Sequence, residues 1–262
     1  VQLRNPASII RKLHSVAKKL DPTRLTTLAA VSGAWFRKKL NNSTDILAVN
    51  TYPGWYYGYA NDMKDKLKKW NKAGNYRGLG VSEYGAGAGI TQHEENPQYK
   101  GGFKMAFSQW HSEEYQSYVH EITFKHIKNT PYVWGSFLWN MFDFAVPFRN
   151  EGDTPGRNDK GLVTYDRKVK KDAYFFYRVN LSEIPMVYIT SRRFKKRSNP
   201  KTYIKVYSNC ETVELYHNNI LKGKLVKKDM NIFLWDEFEL NPGKNQIKVI
   251  GTAGSNPPVE DT

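Results

Sequence analysis

Residues 79–90 read Leu79-Gly80-Val81-Ser82-Glu83-Tyr84-Gly85-Ala86-Gly87-Ala88-Gly89-Ile90. The first part has the length and apolar content of a buried strand, and the second is a glycine-rich turn, so Glu83 falls where one gives way to the other. In parallel α/β architectures the reacting groups sit at the carboxyl ends of strands, because the loops there are free to converge on a ligand. Glycines at 85, 87 and 89 let the backbone approach a substrate closely. A strand-ending glutamate can equally be a solvated carboxylate or an ion-pair partner. The surrounding chain has to decide between these readings.

Upstream, residues 5–20 carry Ile9, Ile10, Leu13, Val16, Ala17 and Leu20 at helical spacing, which predicts an amphipathic helix with a basic outer face, stopped by Asp21-Pro22. Residues 25–31 and 46–52 have strand length, and residues 61–73, with Met63, Leu67 and Trp70, predict a helix before the strand at 78–84. Downstream, residues 112–128 predict another helix. Residues 132–142 form a nearly continuous apolar run, as in a strand covered on both faces. Helices alternating with such strands give a parallel sheet or a barrel. Four strands, at 25–31, 46–52, 78–84 and 132–139, are half of what an eight-stranded barrel of about 250 residues needs.

Residues 143–160 make a long Gly-, Pro-, Asn- and Asp-rich loop, of the kind that is usually functional or disordered, and 170–179 a closing helix. From about residue 184 short alternating segments follow at 186–191, 202–207, 213–217, 232–238 and 246–250, the pattern of a small antiparallel β-sandwich. The fold class expected is therefore α/β: the C-terminal half of a (β/α)8 barrel over residues 1–182, an immunoglobulin-like sandwich over 183–252, and a tail over 253–262 with nothing to pack.

The chain has 262 residues, 14% of them aromatic, including 7 Trp and 17 Tyr. Such a content suits either a large core or a site that stacks flat, partly apolar ligands, of which sugars are the commonest. The formal net charge of +15 raises the question of nucleic acid. Its distribution argues against that partner. Lys64, Lys66, Lys68, Lys69 and Lys72 decorate a helix, and the dense run of Arg192, Arg193, Lys195, Lys196 and Arg197 beside Ser198-Asn199-Pro200 reads as a solvated turn without a stacking platform. One cysteine, Cys210, excludes an intrachain disulfide framework and a Cys-rich zinc site. No apolar run approaches the roughly 18 residues of a membrane span, and no signal peptide is expected in the opening residues given. Val1, leading almost at once into a helix, sets the expectation that these residues begin inside a longer protein.

Three strand ends supply one candidate site: Tyr52 with Trp55 and Tyr56, then Glu83, then Trp139 with Asn140 and Asp143. Here the chain resembles glycoside hydrolase family 2, whose members include β-galactosidases and β-glucuronidases. The matching pieces are Asp21-Pro22-Thr23-Arg24, Asn50-Thr51-Tyr52-Pro53-Gly54-Trp55-Tyr56, Ser82-Glu83-Tyr84-Gly85, Ser112-Glu113-Glu114-Tyr115-Gln116, Trp139-Asn140-Met141-Phe142-Asp143-Phe144, and Asn158-Asp159-Lys160-Gly161-Leu162-Val163 with Asp166-Arg167-Lys168. They run in the family's order across roughly residues 20–180. The sandwich resembles the immunoglobulin-like domain that follows the barrel in many bacterial members.

The resemblance implies that Glu83 is the nucleophile at the end of the seventh barrel strand, that Tyr52 hydrogen-bonds near it, and that Trp139 floors the sugar subsite. Asn50 and Tyr56 lie in the same motif and are implied to line the subsite. A retaining glycosidase needs two carboxyl groups about 5 to 5.5 Å apart, one attacking the anomeric carbon and one protonating the leaving oxygen. The family's acid/base is the Glu of an Asn-Glu pair before the Asp-Pro-Thr-Arg helix. The one such pair here, Asn150-Glu151, is in a loop, so the acid/base is expected upstream of Val1 and residues 1–262 are expected to be inactive alone. Asn158 and Lys160 resemble the pair with which β-glucuronidases hold a uronate carboxylate, yet the same stretch resembles the version in β-galactosidases that carry a trailing sandwich; the latter tips the expectation to galactosides. No cofactor or metal is implied. The implied partners are a carbohydrate and the remainder of the polypeptide, with no nucleic acid or membrane; nothing gives a cellular address. A non-catalytic carbohydrate-binding remnant is the competing reading, and His93 is expected to be a surface residue.

Overall fold

The structure is a computed structural model that describes residues 6–31, 38–73, 78–97 and 105–262. The chain divides into two compact units. The first holds the described residues up to Ala86, with Met105, Ala106 and Ile122–Met141; the second holds residues 87–97, Phe107–Glu121 and Phe142–Thr262.

The first unit is built on four parallel strands in chain order, β1 (Thr27–Val31), β2 (Ile46–Asn50), β3 (Leu79–Glu83) and β4 (Val133–Ser136). Parallel neighbours need a crossover connection, and stretches bearing helices α2 (Lys38–Asn41), α3 (Met63–Ala73) and α4 (Glu113–Lys128) supply them. In α3 the buried residues are Met63, Leu67 and Trp70, at the spacing that places them on one face, while Lys64, Lys68 and Lys69 between them are exposed. Each such burial contributes about 1.5–3 kcal/mol. Strands β2 and β3 are the covered ones, with Leu47, Ala48, Val49, Leu79 and Val81 all buried. Gly80 is required by packing: a Cβ there would lie 2.5 Å from the Trp134 ring, whose Nε1 donates to the Leu47 carbonyl at 3.2 Å.

Two expectations are corrected here. Helix α1 (Pro6–Leu20) forms, but its apolar face is open: Leu13 is 60% and Leu20 81% exposed, and the helix is held through Lys18, which donates to the Pro22 and Arg24 carbonyls, and through His14 beside Thr26. The apolar run at 132–142 is not covered on both faces. Its strand is only Val133–Ser136, at the edge of the sheet, and Phe137 and Met141 are exposed.

The second unit carries a two-sheet antiparallel sandwich. One sheet has the order β10-β9-β12-β13 and the other β11-β8-β7, formed by β7 (Val187–Ile189), β8 (Lys201–Ser208), β9 (Thr212–His217), β10 (Ile220–Val226), β11 (Ile232–Glu239), β12 (Ile247–Thr252) and β13 (Val259–Asp261). Alternate residues of these strands, among them Ile204, Val206, Val213, Leu215, Phe233 and Val249, meet in one core with Cys210. The loop expected at 143–160 contains a small hairpin, β5 (Phe144–Ala145) with β6 (Arg157–Asn158).

The compact unit that holds the sandwich also takes in segments from before residue 182. Helix α5 (Asp172–Leu181) and the start of α4 belong to the same unit as the sandwich, tied to it by buried charge. Asp172 accepts from Tyr188 Oη at 2.7 Å and from Arg193 at 2.8 Å; Glu113 accepts from Arg193 and from the Asp172 amide; and Glu121 bonds Tyr207 Oη and Lys205 Nζ. The basic run is therefore solvated only in part: Lys195 and Lys196 are exposed, but Arg193 takes this buried pair, Arg197 meets Glu95 at 3.0 Å and Arg192 meets Asp261. Nor is 253–262 an unpacked tail: β13 pairs with β12, and Asp261 accepts from the Ile189 amide at 2.8 Å.

Candidate active site

At the carboxyl end of the parallel sheet, β2 and β3 bring Asn50 and Glu83 into register across a shift in the pairing. The Thr51 amide donates to the Glu83 carbonyl at 2.7 Å, which keeps the two strand ends together. Beyond β2 the chain turns tightly: the Gly54 amide bonds the Tyr57 carbonyl, and Tyr57 Oη lies 2.6 Å from Thr51 Oγ1 and accepts from the Tyr52 amide. Gly54 has φ +84°, and a Cβ there would lie 2.8 Å from the Ala60 amide nitrogen, so glycine is the residue the turn admits. The turn aims Tyr52 at Glu83, and the phenol donates to Oε2 at 2.7 Å.

Glu83 is half-buried, and its Oε1 receives no hydrogen bond among the described residues. A carboxylate held by one oxygen with the other uncommitted is oriented for attack on an electrophilic carbon. Tyr56 packs edge-on against Tyr52, ring centroids 5.1 Å apart, and Ser82 Oγ donates to Asn50 Oδ1 at 2.7 Å, fixing the amide. Half-buried Trp139 follows β4, its amide donating to the Tyr84 carbonyl at 2.9 Å; the Trp139–Asn140 peptide is cis. Asn50, Tyr52, Tyr56, Glu83 and Trp139 thus belong to the strand-end region of the first unit.

Asn158 and Lys160 belong to the second unit and form a cluster of their own. Both are buried, at 4% and 1% exposure, and Asn158 Oδ1 accepts from the Lys160 amide at 3.1 Å, closing a turn that places Asp159 between them. Asp159 Oδ2 lies 2.5 Å from His111 Nδ1. Burial by itself would raise the Asp159 carboxyl, but the bond from His111 and the nearby Lys171 and Lys160 hold it below the usual range. Asp143 has the opposite balance: burial pushes it up despite its contact with Lys171 at 2.9 Å.

Sequence reasoning did not single out His111 or Lys171. One stands immediately before a motif and the other is the second of two adjacent lysines, so neither has a local signature. His93, expected on the surface, is half-buried, 3.1 Å from Glu114 and stacked on Phe194. Among the described residues no group of His, Cys, Asp and Glu could hold a metal ion, and no helix is long and apolar enough to cross a membrane.

A chain-order parallel sheet with a tyrosine-clamped glutamate at a strand end is the arrangement of a barrel hydrolase. The family model for the glycosyl hydrolases family 2 TIM barrel domain matches residues 6–185, and the chain belongs to this family. It is 37% identical over 254 residues to a β-glucuronidase of Bacteroides fragilis, the match covering 97% of this chain and 35% of that protein. Among solved structures, it superimposes with a TM-score of 0.86 and 35% identity on a Bacteroides fragilis protein provisionally described as a β-galactosidase, over 97% of this chain and 38% of that one. It also superimposes on Bacteroides uniformis β-glucuronidase 2 covalently bound to cyclophellitol-6-carboxylate aziridine, with a TM-score of 0.82 and 29% identity over 97% and 30% of the two chains. The chain thus spans about a third of the length of the curated relatives it matches, 35% of one and 32% of another.

Proposed function

We propose that this chain carries the nucleophile and sugar-binding residues of a retaining β-glycosidase, with Glu83 attacking the anomeric carbon to form a glycosyl-enzyme intermediate. The observation that carries this reading is the 2.7 Å bond from Tyr52 Oη to Glu83 Oε2 at adjoining strand ends. The phenol holds one oxygen, lowers the freedom of the side chain, and leaves the other oxygen to react. Trp139 offers a ring against the apolar face of a sugar, while Asn50 and Tyr56 complete the wall beside Tyr52.

The substrate class we propose is a β-glucuronide, held at its carboxylate by Lys160 with Asn158. A buried ammonium on the same tight turn as a buried amide side chain is suited to a carboxylate, and a charge-assisted hydrogen bond is about twice as strong as a neutral one. The names of the relatives support the same direction, the Bacteroides uniformis structure holding a carboxylate-bearing ligand. A β-galactoside is the second reading, favoured by the trailing sandwich and by the Bacteroides fragilis structure described as a β-galactosidase. The general acid/base and the rest of the barrel are, on this proposal, supplied by residues outside 1–262; the share of the relatives that this chain spans supports that.

Mechanism-based labelling tests the nucleophile. The full gene product, incubated with a 2-deoxy-2-fluoro-β-glucuronyl fluoride and digested, should carry the adduct on Glu83. An adduct on Glu94 or Glu95, or equal labelling of Glu83→Gln, would remove the assignment.

A further inference from the structure

Around the Asn158–Lys160 turn, three chain segments converge on Lys171, whose side chain is fully buried. Its Nζ donates to the Ala88 carbonyl at 2.7 Å, to the Asp159 carbonyl at 2.8 Å and to Asp143 Oδ1 at 2.9 Å. An ammonium has three protons and no acceptor, so these bonds saturate it. Asp143 Oδ1 also accepts from the Gly161 amide at 2.9 Å, and a Cβ on Gly161 would lie 2.1 Å from the Asp143 nitrogen. Asp159 is further gripped by the Ala88 amide on its carbonyl, at 3.1 Å, and by His111 on its carboxylate. The residues flanking Lys160 are thus pinned on both sides by groups with no proposed contact to substrate.

We infer that Lys171, seconded by His111, is a positioning residue for uronide selectivity: it fixes the Asp159–Gly161 backbone so that Lys160 can present its ammonium to a sugar carboxylate. The inference rests on the uronate reading of Lys160. A charge-assisted contact is lost steeply when a donor shifts by about 1 Å, whereas a neutral sugar makes no such contact. Loosening the turn therefore penalises a glucuronide and spares a galactoside. A role in folding alone would lower stability and active fraction for both substrates equally.

The test uses the full gene product. Removing one member of a buried ion pair strands the other, while neutralising both is far milder, so the variant is Lys171→Met with Asp143→Asn. The readouts are the ratio of kcat/KM for p-nitrophenyl β-D-glucuronide to that for p-nitrophenyl β-D-galactoside, saturation-transfer NMR with D-glucuronate against D-galactose, which needs no turnover, and the melting temperature. The double variant should melt cooperatively and lose the glucuronide preference by about tenfold or more. Lys160→Ala should lose it too, and combining the two should add nothing, because both act through one ammonium. A double variant with the wild-type preference, or with a loss that adds fully to that of Lys160→Ala, overturns the inference. If the double variant does not fold, the His111 pair decides: His111→Leu should lose the preference and His111→Asn, whose amide nitrogen falls near the position of Nδ1, should keep it; an unchanged His111→Leu overturns the inference. Lys160→Ala with an unchanged preference overturns the uronate reading itself, and this inference with it.

Discussion

The two polar clusters of this chain are built to opposite plans. Glu83 is half-buried at a strand end, and among the described residues its carboxylate receives a single hydrogen bond, from Tyr52. The Lys171 ammonium is fully buried and has all three protons engaged. A group that must react needs an uncommitted lone pair and room around it, and loses little stability when replaced. A buried charge must have its partners, because an unsatisfied one costs several kcal/mol. The contrast separates residues that act from residues that hold, within one sequence motif set.

The largest expected effect falls on the first plan. Glu83→Gln in the full gene product should lower kcat by roughly 10³-fold or more on an aryl glycoside, since the covalent route is lost. Its melting temperature should stay at the wild-type value. A Glu83→Gln enzyme that keeps its rate but melts early would place Glu83 with the holding residues and erase the distinction.

Next comes Tyr52→Phe, which removes the bond from Tyr52 that orients the Glu83 carboxylate. A hydrogen bond to a charged group contributes about 1.5–3 kcal/mol, so kcat should fall about 10- to 100-fold with KM little changed. A rise in KM at constant kcat would instead make Tyr52 a contact to substrate.

The smallest effect concerns a third buried group. Burial first, and then the Glu113 charge, push the Asp172 carboxyl up to about 7 against the pull of Arg193. The folded chain keeps a proton that the unfolded chain releases near its ordinary value of 3.8. Stability from Asp172 is therefore fully present below that value and is lost as pH rises through about 7. Melting temperatures of the wild type should fall between pH 5 and pH 8, and Asp172→Asn, which cannot titrate, should flatten that fall. His93, raised by Glu114 in spite of its burial, contributes a residual slope of the same sign. An identical slope in the Asp172→Asn variant would show that the buried carboxyl does not titrate in this range.

Periodicity made most elements legible. The helices at Met63–Ala73 and Glu113–Lys128 and the strand Leu79–Glu83 fall where apolar spacing puts them, because those faces are buried against neighbours. Strand Ile220–Val226 escaped notice because it is exposed along most of its length, so no buried face imprints a pattern on its residues. Strand Val259–Asp261 escaped for another reason: two prolines and a glycine precede it, its three residues are too few to show a period, and besides pairing with β12 it is held by Asp261 bonding Ile189, a contact between distant positions.

The sequence by itself determined that a glutamate would end one strand and that an aromatic, glycine-bearing turn would end another, because a strand of five residues, a glycine turn and an aromatic motif are local choices of backbone and side chain. It also determined the parallel order of the strands, since helices recur between them. Only the tertiary structure decided where the chain divides, which basic residues are paired, and that Lys171 and His111 converge on Asp159. Those outcomes depend on burial. A lysine followed along the chain has the same composition whether water or three carbonyl and carboxylate oxygens surround its ammonium, and only packing removes the water.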